Sequence, residues 1–276
     1  EFFKVDGVLY HRTYDFNGEI HASIDEIEYS REIPEHSFKC GNPPPDHHLE
    51  SLAEASIELG ELFREIKPNI IYAPLRGAYP LLRLLALSTE LENVEIYLPA
   101  TSSFISLPLN GKKLRGHDFN VMMLETLVKF NIAKGKLLYI DEIVSGGMIN
   151  AHTRHMVGDA IKRRRGKRRD KILLPKVQNG ELEIHVIGVA DAYGQRMTKG
   201  NKRAMVAREE AGLIKFYIVP VEELCTEDNV PLLGIHYIGH NNGPRVVSAM
   251  YIEGFWEAYR RFWLIMESKI KERQSK

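Results

Sequence analysis

Apolar positions along this chain follow two rhythms. Leu49, Leu52, Ile57, Leu59, Leu62, Phe63 and Ile66 recur near helical spacing with Glu and Arg between them. That predicts an amphipathic helix over 49–66, closed by Pro68. Beyond it, short apolar runs of strand length alternate with helical stretches. The predicted strands are Asn69–Pro74, Val94–Leu98, Lys136–Ile140, Ile184–Val189 and Leu213–Val219. The predicted helices between them are 79–91, 120–132, 148–163 and 202–211. Such alternation implies a parallel sheet covered on both faces.

The flanks read differently. Residues 1–48 are mixed and polar and end in Pro43-Pro44-Pro45, which suggests an N-terminal extension of short strands or turns. Over 248–272 an apolar stripe, Tyr251, Phe255, Tyr259, Phe262, Met266 and Ile270, predicts a long amphipathic helix. It would pack on the sheet or, with Trp256 and Trp263 widening the stripe, pair two copies of the chain. The expected fold is three-layer α/β with a mainly parallel sheet. Its parts are an extension (1–48), a core (49–220), and a C-terminal hood element with the amphipathic helix (221–276).

Composition narrows the classes. With 276 residues, 44% of them hydrophobic, the core can be sizeable. Lys+Arg and Asp+Glu are both 37, so no overall charge favours nucleic acid or membrane. Two cysteines, Cys40 and Cys225, build neither a disulfide framework nor a multi-cysteine zinc site. No apolar run is long enough for a membrane span, and Glu1-Phe2-Phe3-Lys4 is not a secretory leader. The missing Met suggests a trimmed or incomplete end. The expected location is the cytoplasm.

The segment Leu137-Leu138-Tyr139-Ile140-Asp141-Glu142-Ile143-Val144-Ser145-Gly146-Gly147-Met148 concentrates candidate chemistry. An apolar strand runs into two acids, then into a Ser-Gly-Gly turn that opens a helix. At the carboxyl end of a parallel strand, two carboxylates can hold ribose hydroxyls or water on Mg²⁺. Glycines let backbone N–H groups close on a phosphate, and the helix N-terminus favours the anion. The plainer alternative is a tight turn whose acids cap the next helix. No P-loop and no Gly-x-Gly-x-x-Gly after the first core strand occurs.

This segment resembles the 5-phosphoribosyl-1-diphosphate (PRPP) motif of type I phosphoribosyltransferases. The segment Ile70-Ile71-Tyr72-Ala73-Pro74-Leu75-Arg76-Gly77 is similar to that family's diphosphate-binding first loop. The resemblance covers about residues 50–220. It implies a divergent member, because Gly146 and Ile149 stand where the family favours threonine, leaving Ser145 as the loop's one hydroxyl. It implies PRPP-dependent transfer of a 5-phosphoribosyl group to a nitrogen nucleophile, nucleobase-like, with Mg²⁺ and release of diphosphate. Asp141 and Glu142 would be catalytic and would hold the metal, directly or through water. Ser145, Gly146, Gly147 and Met148 would cradle the 5′-phosphate, and Arg76 and Gly77 the diphosphate. Asp191 and Tyr193, after the fourth strand, would contact the base or the metal. Residues 99–119 would form the mobile lid, with Ser102, Ser103, Lys112, Lys113 and Arg115 near diphosphate.

Two other readings use the same residues. One is a PRPP- or nucleotide-binding sensor or regulator without turnover; the other is a conflict or defence-system effector. The run Lys162 to Arg169 has seven basic residues in eight and suits either a solvated helix end or a nucleic-acid partner. His236 and His240 fall among glycines in a strand or loop, where their spacing loses its meaning as a metal pair. His47 and His48, after the three prolines, read as surface residues.

Overall fold

The computed structural model describes residues 2–5, 8–15, 18–23, 45–74, 78–91, 93–97, 106–109, 112–143, 146–159, 171–191, 197–222, 236–238, 248–250 and 255–275. The N-terminal extension forms an antiparallel meander of β1 (Phe2–Val5), β2 (Val8–Asp15) and β3 (Gly18–Ser23). Helix α1 (Asp46–Ile66) follows. It stops because Lys67 turns left-handed (φ 52°), donating its backbone N–H to Phe63 O at 2.8 Å, and because Pro68 cannot continue it.

Among the described residues the central sheet has five strands, all parallel. They are β4 (Ile70–Tyr72), β5 (Glu95–Tyr97), β8 (Gly135–Ile143), β9 (Leu182–Asp191) and β10 (Lys215–Val221), in the spatial order β10-β9-β8-β4-β5. The chain builds outward from β4 to β5, then crosses back to lay β8 on the other side of β4. That reversal is a topological switch point, and the crevice at the carboxyl ends of β4 and β8 is where ligands bind in open parallel sheets.

The pleat sends alternate residues to opposite layers. Ile71, Leu138, Ile140, Ile187, Val189 and Val219 face α1, α2 (Ala78–Ser88) and α7 (Phe255–Gln274). Ile70, Tyr72, Leu137, Tyr139, Ile184 and Val186 face the other layer. That layer holds α3 (Gly116–Lys129), α4 (Gly147–Val157), α5 (Leu174–Gln178) and α6 (Lys199–Glu210). This is the three-layer α/β arrangement with a parallel sheet. Of the stripe on α7, Phe262 and Met266 are fully buried in the layer with α1.

Several boundaries differ from the sequence reading. Residues 99–119 contain an antiparallel hairpin, β6 (Ser106–Leu109) with β7 (Lys112–Arg115). Strand β8 continues three residues beyond Ile140, because Asp141, Glu142 and Ile143 pair with Gly188, Val189 and Ala190 of β9. The C-terminal helix begins at Phe255, and Ser248–Met250 instead forms β12, paired with β11 (His236–Ile238). Among the described residues no helix is long and apolar enough to cross a membrane.

Candidate functional site

The last register pair between β4 and β8 is Tyr72 with Tyr139, and β8 then runs on beside β9 alone. Asp141 and Glu142 therefore stand past the paired end of β4, at the switch point. The two acids project to opposite faces, as neighbours in a strand must. Asp141 is 6% exposed, on the face of Tyr139, while Glu142 is half-buried on the other.

Asp141 is held closely. Its Oδ2 accepts from the Tyr139 hydroxyl at 2.8 Å, and its Oδ1 accepts from the backbone N–H of Glu142 at 2.9 Å. Tyr139 Oη also meets His152 Nδ1 at 2.9 Å. Since the hydroxyl's one hydrogen goes to Asp141, His152 Nδ1 is assigned as the donor there. A parallel chain starts at Tyr72, whose ring stacks on Tyr139 with centroids 6.2 Å apart. The Tyr72 hydroxyl donates to Asn120 Oδ1 at 2.8 Å, and Asn120 Nδ2 meets His155 Nδ1 at 2.9 Å. His152 and His155 are three apart on α4, hence on one helix face. Together they dock α4 on the two strands that bound the switch point.

Burial pushes the Asp141 carboxyl up to about 7. The Tyr139 hydrogen bond opposes that rise, and the neighbouring Glu142 charge adds to it. Burial also holds the Tyr72 and Tyr139 hydroxyls well above their ordinary value, so both remain donors at neutral pH.

The glycines of the turn open α4. Gly146 is the N-cap of α4, left-handed at φ 71°, and buried. A Cβ there would lie 2.8 Å from Met197 Cε and 2.9 Å from Met197 Cγ, so the position excludes side chains by both conformation and space. Gly147 is the first residue of the helix and exposed, and Met148 is half-buried. No acid occupies the helix's first turn, so no carboxylate there offsets the positive end of the helix dipole. Behind the turn, Asn150 Nδ2 donates to Asn201 Oδ1 at 2.8 Å, tying α4 to α6.

Asp141 and Glu142 thus lie near the carboxyl end of β8, and Gly146, Gly147 and Met148 at the start of α4, the next described element. Asp191 is the last residue of β9, paired with Val221 and one strand from β8. Arg76, Gly77, Ser145, Tyr193, Ser102, Ser103, His240 and the basic run 162–169 lie outside the described residues. Lys112, Lys113 and Arg115 fall on β7, and His236 on β11. The sequence reading missed Tyr72, Asn120, Tyr139, His152 and His155. Their available signals were a tyrosine near the end of each of two apolar runs and a histidine pair at helical spacing.

For Mg²⁺, which takes carboxylate oxygens and keeps several waters, the donor set fits through Glu142. Asp141 is buried and each of its oxygens already accepts one hydrogen bond, so a direct metal contact there would share an oxygen with such a bond.

No protein-family model matches the chain, and no curated protein matches it. Among solved structures it is similar to a hypothetical protein from Neisseria gonorrhoeae with bound ppGpp. That match has 13% identity and a TM-score of 0.32 over 62% of this chain and 78% of that one. It is similar to hypoxanthine phosphoribosyltransferase of Trypanosoma cruzi (12%, TM-score 0.30, 82% of this chain and 98% of that one). It is also similar to orotate phosphoribosyltransferase of Mycobacterium tuberculosis in complex with inorganic phosphate (13%, TM-score 0.26, 67% and 96%). Likeness at this level shows neither a shared family nor a shared chemistry.

Proposed function

We propose that the crevice between β4 and β8 binds PRPP and that the protein transfers its 5-phosphoribosyl group to a nitrogen nucleophile of nucleobase type, releasing diphosphate. One observation carries the reading. The two segments that resemble PRPP-binding loops follow adjacent parallel strands, β4 and β8, and those strands flank the switch point. Separated by more than sixty residues in sequence, the two loops leave neighbouring strands at the same carboxyl end of the sheet, the second after β8 has run four residues past its last pair with β4.

The residues then take definite roles. Backbone N–H groups of Gly147 and Met148 at the start of α4 bind the 5′-phosphate, and Ser145 adds its hydroxyl. Arg76 and Gly77 hold the diphosphate. Glu142 accepts from a ribose hydroxyl and supports positive charge growing at the anomeric carbon. Asp141, fixed by Tyr139 and its own backbone, sets the local field and keeps the end of β8 in register. Mg²⁺, when bound with the substrate, neutralises diphosphate charge. Most of the rate would come from positioning and electrostatics.

The engaged carboxylate of Asp141 favours a second reading, a PRPP or nucleotide binder without turnover. The test is calorimetric binding of PRPP with Mg²⁺, together with diphosphate release across a panel of nucleobases. Binding with release supports transfer. Binding without release under any base supports the regulator. Absence of PRPP binding to the folded chain overturns both.

A further inference from the structure

We propose that His47, His48 and Glu222 form a site for a divalent transition-metal ion of the zinc type, separate from the switch-point crevice. The three side chains come from distant parts of the chain. His47 and His48 lie in the first turn of α1, and Glu222 immediately follows β10. Their ligand atoms all lie within 4.8 Å of one another. His47 Nε2 stands 3.8 Å from Glu222 Oε1. Donors held 2.0–2.2 Å from a tetrahedral zinc are roughly 3.3–3.6 Å apart, so little closure is required.

Adjacent helical residues ordinarily diverge around the axis. Here the two imidazoles converge instead, edge to face, with ring centroids 4.2 Å apart. The carboxylate is positioned independently. The backbone N–H of Glu222 donates to Ser51 Oγ at 2.7 Å, which fastens the residue one turn along the helix that carries both histidines. The His47 and Glu222 side chains are 60% and 54% exposed, so an ion can enter.

The donor chemistry selects the metal. Two imidazoles and one carboxylate suit zinc, nickel or copper, whereas Mg²⁺ and Ca²⁺ prefer oxygens alone. Three protein ligands leave a coordination position open. The site lies at the carboxyl edge of the sheet, but β9 separates β10 from β8. Two strand spacings, about 10 Å, therefore separate it from the strand of Glu142. A bound ion would clasp the start of α1 to the end of β10. None of this depends on the phosphoribosyl reading.

The experiment titrates the metal-free full chain with ZnCl₂ by calorimetry and with Co²⁺ by visible absorption. The expected result is one ion per chain, an intense tetrahedral-type Co²⁺ spectrum and a higher melting temperature with zinc. His47→Ala, His48→Ala and Glu222→Gln should each weaken binding by at least about ten-fold. Circular dichroism of these partly exposed substitutions should match wild type. The proposal is overturned if wild type binds no zinc, or if His47→Ala/His48→Ala binds it as tightly as wild type.

Discussion

On one face of the central sheet, Leu138, Ile140, Ile187, Val189 and Val219 meet α1, α2 and α7 through hydrocarbon. On the other, Tyr72, Tyr139 and Asp141 meet the Asn120 side chain of α3 and two histidines of α4. The first face is non-directional and tolerates any packing of the right volume. The second must satisfy every buried polar atom, and so accepts few arrangements. Polar groups of the first face gather at its rim, where His185 meets Glu183 at 3.1 Å near the amino ends of the strands. Directional bonding is thus concentrated around the carboxyl end of β8, where α4 must be aimed. One face supplies stability; the other fixes where the glycine turn points.

The largest expected difference between the faces is in pH response. Asp141 has its carboxyl raised from 3.8 to about 7 by burial. Between those values the folded state keeps a proton that the unfolded chain releases. The contribution is therefore fully present below about pH 4 and lost as pH rises through about 7. Over that span it amounts to at most about 4 kcal/mol. Asp141→Asn, neutral throughout, should remove the slope, so its melting temperature relative to wild type should climb steadily from pH 4 to 8. Parallel curves would mean that the carboxyl is not buried. Ile140→Val, one residue away on the apolar face, should follow the wild-type slope.

Next in size is Arg208, fully buried beside α4. Its Nε donates to Gly158 O at 2.8 Å, one terminal nitrogen to Asn150 Oδ1 at 2.8 Å, and the other to Asp159 Oδ1 at 3.1 Å. Arg208→Ala should cost about 3 kcal/mol in chemical denaturation, because it strands these acceptors. Leu85→Ala on the other face should cost about as much through its cavity. The distinguishing variant is Arg208→Met, which restores volume but no donors. Full recovery of stability by methionine would erase the difference claimed between the two faces.

Smaller again is the effect expected of Gly146→Thr. The added hydroxyl would favour phosphate, but the left-handed backbone and the Met197 contact oppose any side chain. A loss of about 1–2 kcal/mol of stability is expected, together with weaker PRPP binding by calorimetry. Tighter binding would show that the turn relaxes and that its geometry does not exclude threonine.

The apolar face was the more legible one in the sequence. Its strands are short apolar runs alternating with helical stretches, and that alternation located all five. The polar face was partly hidden, because it depends on register. Asp141 and Glu142 interrupt an apolar run and so read as the end of β8. Yet Asp141 is paired with Gly188, where an added Cβ would fall 2.1 Å from Ile143 Cδ1, so the glycine is what lets Ile143 pack beside it. That pairing is invisible without the partner strand. Tyr72 and Tyr139 are 67 residues apart, and only the β4–β8 register puts them side by side. The hairpin at 106–115 carried a usable signal, Asn110-Gly111 between Leu109 and Lys112. The candidate loop 144–149 was recognisable from its residue types, whereas the histidines that aim it were not.

The smallest effect is expected on the outside of the apolar layer. Helices α1 and α7 are linked there by Asp46–Arg261, Glu54–Lys269 and Glu61–Arg273 ion pairs, each pair 212 to 215 residues apart in sequence. Three such pairs along one seam look like a major tie. Their settings argue otherwise: Glu54 and Asp46 are about two-thirds exposed, and water and salt screen charges placed so. Beneath them Phe262 and Met266 are fully buried. Lys269→Ala should therefore cost only about 0.2–1 kcal/mol, and less at high salt. Met266→Ala should cost about 2–5 kcal/mol, independent of salt. Urea denaturation at low and high ionic strength measures both. If Lys269→Ala proves the costlier of the two, directional charge rather than hydrocarbon holds α7 in place, and the contrast between the two faces fails where it was expected to be sharpest.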